Sequence, residues 1–351
     1  MGRLGRPLYA LAVVTALALG LRLTPLWTAS AMRLPPPPAS GHEAPVPVTF
    51  TVAQGMTPDA IATGLVESEV LTDARRFHLL VGLDGAGRDL RAGCYIFAKQ
   101  TPASEIVRRL RGGITSVQLL PIPEGRRLEE VGAIIEQAGI AARADWDAAV
   151  AKAPRDRLPA APPASRSLLG YLLPASYPLQ CQASASDMVA AMLDAFTQQV
   201  TPEVIAAARS HGLSLDDTVI LASIVEREAV IRAEQPVIAS VFLNRLKAGL
   251  PLQADPTVQF AIANAKPPSG AGGWWKTDLT VADLRIDSPY NTYRNPGLPP
   301  GPIANPGIDA IKAVANAATT DYLYFVAKGD GSHAFARTLD EHNANVAKYQ
   351  R

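Results

Sequence analysis

The chain has 351 residues, 48% of them hydrophobic and 19% charged, with a formal net charge of +1. That length suits about two domains around a large core, and the near-neutral balance implies no nucleic acid or other polyanion as partner. Cys94 and Cys181 are the only cysteines, which excludes a disulfide framework or a cysteine zinc cluster and leaves one bridge or two packed thiols open.

Arg3 and Arg6 flank an uncharged run from Pro7 to Leu21. Extended to Leu26, the run reaches membrane-spanning length at the cost of including Arg22, whose long side chain can snorkel. Residues 1–6, 7–26 and 27–46 therefore read as a cytoplasmic N-terminus, a single-pass membrane anchor and a linker stiffened by Pro35–Pro38. A cleaved signal ending at Ala29-Ser30-Ala31 is the competing reading. Under either, the positive-inside rule puts the rest of the chain outside the cytoplasm.

Two stretches then resemble each other. Val48–Leu71 and Val117–Ile140 each run as an apolar extended segment, a turn at glycine (Gly55, Gly125) and an amphipathic helix. Ile61 and Leu65 share one helix face, as do Val131 and Ile135. Thr57-Pro58 has the form of an N-cap followed by proline at the first helical position. Between the units, Leu90–Ala98 reads as a strand and Pro102–Leu110 as a helix. The expectation is an α+β protein: a small α/β domain over 47–140, a linker over 141–165 rich in Ala, Pro and Arg, and a mainly helical domain with a β-hairpin over 166–351.

Within the last part, Asp187–Gln199 and Pro202–Ser210 read as helices, the second stopped by Gly212. Ser214-Leu215-Asp216-Asp217 has the form that starts a helix, and the helix runs on through LASIVERE. Val219, Ala222, Ser223 and Glu226 share one face of it; Leu221, Ile224 and Glu228 share roughly the opposite face. Both faces are apolar, so the helix should be buried nearly all round. Burial disfavours a charged carboxylate and raises its pKa, the condition for a general acid near neutrality. By this reading Glu226 is either a catalytic acid or a buried acid paired with Arg227, Arg232 or Arg245. Pro236–Leu250 follows as a helix. Gln253, Asp255 and Thr257 form a polar set leading into the next one, where Asp255-Pro256 also fits a plain N-cap. Trp274 and Trp275 suit either sugar stacking or core packing. Tyr290, Asn291, Tyr293 and Asn295 lie in a long loop rich in Pro and Gly, which reads as a rigid binding loop. Tyr322–Ala327 and Ser332–Ala336 flank Gly329-Asp330-Gly331 as a hairpin that carries His333. Thr338–Glu341 caps a last helix running to Tyr349. No metal site or cofactor signature is readable.

Taken in order, LASIVERE, SVFLNRL, LQADPTV, SPYNTY, GLPPGPIANPG and YLYFVAKGDGSHAF resemble the YceG-like (MltG) family of endolytic murein transglycosylases, from about residue 48 to the C-terminus. The resemblance implies a LysM-like N-terminal domain, a single membrane anchor and a catalytic domain in the periplasm at the inner membrane. It also implies peptidoglycan glycan strands as substrate, no cofactor, and peptidoglycan synthases (penicillin-binding proteins) as candidate partners. It puts catalysis on Glu226, the first glutamate of the SIVERE motif. Gln253, Asp255, Asn291, Tyr293, Ser223, Glu228 and His333 are then the expected substrate contacts or support. The chain departs from the family at LLGYLLPASYPL, where Leu169 and Ala175 replace acids and Leu173 replaces an aromatic. The implied reaction uses one carboxyl twice: it protonates the glycosidic oxygen between MurNAc and GlcNAc, then takes the C6 hydroxyl proton as a 1,6-anhydro ring closes. A lysozyme-like hydrolase of the same glycan and a non-catalytic glycan-binding scaffold are the rival functions.

Overall fold

Two hydrophobic cores organise the computed structural model, which describes residues 48–83, 89–113, 119–178, 183–269 and 273–350. The expected anchor and proline-rich linker lie outside these residues. Among the described residues no helix is long and apolar enough to cross a membrane.

The first core is small. Strand β1 (Val48–Val52) is followed by α1 (Pro58–Glu67), α2 (Ala74–Leu83), β2 (Gly93–Phe97) and α3 (Ala103–Gly112). The strands pair antiparallel with Phe50 opposite Tyr95. Alternation sends Phe50, Val52, Tyr95 and Phe97 inward, onto Ile61 and Leu65 of α1 and Ile106 and Leu110 of α3. The local signals act as expected: Thr57 Oγ1 accepts the Ala60 N–H at 3.2 Å, and Pro58 opens the helix. Cys94 on β2 is disulfide-bonded, and the other cysteine, Cys181, lies outside the described residues.

The larger core begins earlier than the sequence suggests. Strand β3 (Leu119–Pro121), α4 (Leu128–Gln137) and α5 (Arg143–Lys152) belong to it, whereas the expected boundary fell at residue 140. The cause is tertiary. β3 pairs antiparallel with β4 (Ser176–Pro178), Leu120 opposite Tyr177. Val131 and Ile135 of α4 bury against Trp146, whose Nε1–H donates to the Leu128 carbonyl at 3.1 Å. The two strand–turn–helix units are thus alike locally, with φ +80 at Gly55 and +71 at Gly125, but they serve different cores.

Helices α6 (Ala185–Gln199), α7 (Pro202–Ser210), α8 (Leu215–Glu228), α9 (Gln235–Lys247), α10 (Asp255–Ala265) and α11 (Ile308–Ala315) complete the large core. The hairpin of β5 (Tyr324–Ala327) and β6 (His333–Ala336) and α12 (Leu339–Tyr349) follow. The whole is a mixed fold, mostly helical. Its axis is α8. Ser214 and Asp217 cap it reciprocally, and every residue from Val219 to Val225 is buried. Each such Val, Leu or Ile contributes about 1.5–3 kcal/mol relative to exposure. Gly170 makes one close approach to this helix: at φ +92, a Cβ there would lie 2.8 Å from Val219 Cγ1 and 2.6 Å from Pro302 Cγ.

Candidate active site

The last turn of α8 leaves the core with one glutamate on each side. Residues two apart on an α-helix point about 200° away from each other, and here they meet different neighbours. Glu228 lines a cavity of about 430 Å³. Glu226 does not; its Oε2 accepts the Gly307 N–H at 3.0 Å, where α11 begins.

Three segments build the cavity around Glu228. The first is the turn into α10, which brings Gln253 and Asp255. This turn is locked to the SPYNTY loop. The Ala254 N–H donates to Thr292 Oγ1 at 3.0 Å, Thr292 Oγ1 and Thr257 Oγ1 lie 2.8 Å apart, and the Gln253 N–H donates to the Thr292 carbonyl at 3.1 Å. The loop thereby delivers Tyr293, whose hydroxyl donates to Asp255 Oδ1 at 2.6 Å. The second segment is α9, whose Arg245 donates to the carbonyls of Pro251 and Leu323 at 2.8 and 2.9 Å and to Gln253 Oε1. The third is the hairpin with α12, which supplies Tyr324, His333 and His342. Glu234 fixes His333, its Oε2 lying 2.6 Å from His333 Nδ1. Tyr324 lies between Arg245 and the stacked ring of His342.

Both glutamates have raised pKa values. Burial, reinforced by the negative charge of Asp255 and opposed by Arg227, pushes Glu228 up to about 8. Burial also raises Glu226, to about 7; the Gly307 N–H opposes it, Glu124 adds to it, and Arg232 and Arg227 oppose it. None of the three arginines expected as partners forms an ion pair with Glu226 among the described residues. Arg232 bridges Glu124 and Asp309, Arg245 holds carbonyls, and the Arg227 guanidinium lies 4.0 Å over the Trp275 ring.

Of the residues expected at the site, Glu228, Gln253, Asp255, Tyr293 and His333 come together in one cavity. Ser223 and Asn291 do not reach it, because both are fully buried and engaged by backbone. Ser223 Oγ donates to the Ile220 carbonyl at 2.7 Å and accepts the Ile303 N–H at 3.0 Å, pinning the GLPPGPIANPG loop to α8. Asn291 Nδ2 donates to the Leu284 and Ile286 carbonyls, both at 2.9 Å, and its Oδ1 accepts the Tyr293 N–H at 3.0 Å. Neither lines the cavity: Ser223 holds the loop at Ile303 against α8, and Asn291 shapes the loop that carries Tyr293. The paired tryptophans are packing groups: Trp274 is buried over Arg127, and Trp275 Nε1–H donates to Glu130 at 3.0 Å. Leu169 is buried in the larger core, and the Ala175 carbonyl accepts the Ile122 N–H at 2.9 Å beside the β3–β4 pairing. Sequence reasoning missed Tyr324 and His342. A tyrosine in an apolar strand and a lone histidine on a polar helix carry no local signal.

Chemically, the cavity offers one carboxyl that stays protonated at neutral pH, a second carboxylate beside it, and amide, phenol and imidazole groups around them. That is equipment for proton transfer to a polar substrate.

A sequence profile described as the YceG-like family matches residues 50–348. A Bacillus subtilis protein named endolytic murein transglycosylase is 32% identical over 319 residues, which cover 86% of this chain and 84% of that protein. A Streptococcus pneumoniae protein of the same name is 29% identical over 327 residues, 86% of this chain but 58% of its own length. A 2.6 Å crystal structure of a putative YceG-like protein from Listeria monocytogenes superposes with a TM-score of 0.57 at 30% identity, over 85% of this chain and 98% of that one.

Proposed function

The chain belongs to the YceG-like family, and from that premise we propose that it is an endolytic peptidoglycan transglycosylase. It is a lyase that cleaves the MurNAc–GlcNAc bond within a glycan strand and leaves a 1,6-anhydro-MurNAc end. One observation carries the reading: Glu228 lines the cavity with a pKa of about 8. A general acid works best with a pKa near the working pH, and this one holds its proton at neutrality yet can release it.

We assign the proton to Glu228 in place of Glu226, because Glu226 accepts a backbone N–H on the far side of α8. The Glu228 carboxyl protonates the glycosidic oxygen, the C1–oxygen bond breaks, and its electron pair leaves with GlcNAc. The MurNAc C6 hydroxyl then attacks C1 and returns a proton to the Glu228 carboxylate. No water is consumed and the carboxyl is regenerated. Gln253, Tyr293 and His333 line the same space and orient the sugar. The same reading makes residues 48–113 a LysM-like unit. It also tethers the chain by residues 7–26 to the outer face of the inner membrane, beside the peptidoglycan synthases.

A second reading, lysozyme-like hydrolysis, is favoured by one fact: two carboxylates, Glu228 and Asp255, line one cavity. Mass spectrometry of digested glycan strands separates the two. Anhydro ends are expected; reducing MurNAc ends without them would establish hydrolysis. Run in parallel, Glu228→Gln should lower the rate by about 100-fold or more, while Glu226→Gln keeps it within about tenfold of wild type. The reverse pattern would return the chemistry to Glu226.

A further inference from the structure

Asp255 is held in place with more care than a helix-capping residue needs. Its own hydrogen bond is from the Tyr293 hydroxyl, at 2.6 Å. Buried bonds among Ala254, Thr257 and Thr292 immobilise the backbone on either side of it. Gln253, just before it, sits at φ +54, a left-handed conformation uncommon outside glycine. Strained backbone of this kind persists where the surroundings over-determine it, and it gathers at functional sites. The chain is bent there so that Gln253 and Asp255 both face the cavity that Glu228 lines.

We propose that Asp255, oriented by Tyr293, is a second functional carboxylate of this site: a fixed anion that stabilises the positive charge developing on the sugar as the glycosidic bond breaks. The inference rests on the transglycosylase reading and adds a group to it. In that reading the proton moves only between Glu228, the leaving oxygen and the C6 hydroxyl. Asp255 forms no bond and exchanges no proton. It supplies preorganised negative charge beside C1 and the ring oxygen when both become electron-poor, the kind of term that often dominates enzymatic rate enhancement. Glu228 cannot do this itself while it carries the proton. The same anion beside Glu228 helps keep that carboxyl protonated, so one residue serves both halves of the step.

The groups facing Glu228 are Arg227 on its own helix, Asp255 on α10, Tyr293 on the loop, Arg245 on α9, Tyr324 and His333 on the hairpin, and His342 on α12. Among the described residues that line the cavity, Asp255 is the one carboxylate besides Glu228, so its removal has a distinct signature. The test uses the full chain and glycan strands, with kcat and KM measured separately from neutral to alkaline pH for Asp255→Asn, Asp255→Glu and Tyr293→Phe. Asp255→Asn should lower kcat by about 100-fold or more with little change in KM. Its alkaline limb should move to lower pH, because Glu228 has lost a like-charged neighbour. Asp255→Glu should recover part of kcat, and Tyr293→Phe should lower it less than Asp255→Asn does. A role in capping α10 alone would change thermal stability and leave both kcat and the limb in place. An Asp255→Asn protein with wild-type kcat, or with an unmoved limb, overturns the inference while Glu228→Gln is inactive. A Glu228→Gln protein that remains active overturns the underlying reading, and this inference with it.

Discussion

Glu228→Gln should make the folded protein more stable in alkali, even as it removes activity. The Glu228 carboxyl is raised from 4.5 to about 8, first by burial and then by the charge of Asp255. A folded-state pKa above the unfolded one means that the native state holds the proton more tightly. Below the unfolded value both states are protonated and the residue costs nothing. As pH climbs from 4.5 towards 8 the unfolded chain ionises freely while the folded one resists, and native stability falls. Above about 8 the full cost is present. One pKa unit corresponds to about 1.4 kcal/mol, which bounds the cost near about 5 kcal/mol. Hydration of the cavity reduces that, so we expect about 2 kcal/mol. Glutamine keeps the shape and carries no charge. Denaturant unfolding of wild type and variant at about pH 4 and about pH 9 reads the effect directly. The variant should match wild type at the lower pH and gain about 2 kcal/mol at the higher one. An equal difference at both pH values would refute the reasoning, because the carboxyl would then carry no burial penalty.

Two further substitutions probe the frame that holds α8. Ser223→Ala removes the acceptor of the buried Ile303 N–H. It should cost about 1–3 kcal/mol in unfolding free energy, and unchanged stability would mean that another group satisfies that N–H. Gly170→Ala combines a left-handed φ of +92 with contacts of 2.6 Å to Pro302 and 2.8 Å to Val219. The strain and the overpacking together should cost about 2–5 kcal/mol by thermal or denaturant melts. A variant as stable as wild type would show that α8 can shift away from the 169–171 turn.

Features written in short-range chemistry were legible in the sequence. Ser214 with Asp217, Thr57 with Pro58, and the hairpin at Gly329–Gly331 all signal their structures within a few residues, and each forms as read. The opposed faces of Glu226 and Glu228 were legible too, since they follow from helical geometry. Which face meets a cavity was not. Both faces are apolar along the helix, and the answer depends on where the hairpin and α9 pack, far along the chain. Ser223 and Asn291 misled for a related reason. A polar residue near a site can touch the ligand or satisfy a buried backbone group, and sequence does not separate the two. The core that residues 119–137 join was not legible, because the partner of β3 is β4, a pairing no local pattern announces.

That pairing also decides which core the second strand–turn–helix unit serves. Arg126 bridges to Asn305 across the fold, their backbone bond measuring 2.8 Å, while Asn305 Oδ1 accepts the Gly170 N–H at 2.8 Å. Arg127 lies between the rings of Phe260 and Trp274. The segment from 119 to 137 is therefore a working part of the helical half, threaded through it. Cutting the chain near 140 would strip β4 of its partner strand among the described residues and expose Leu120, Ile122, Val131 and Ile135 from the larger core. The smaller core takes its last residue from α3 and the larger one its first from β3, well before the point where the repeated motif ends.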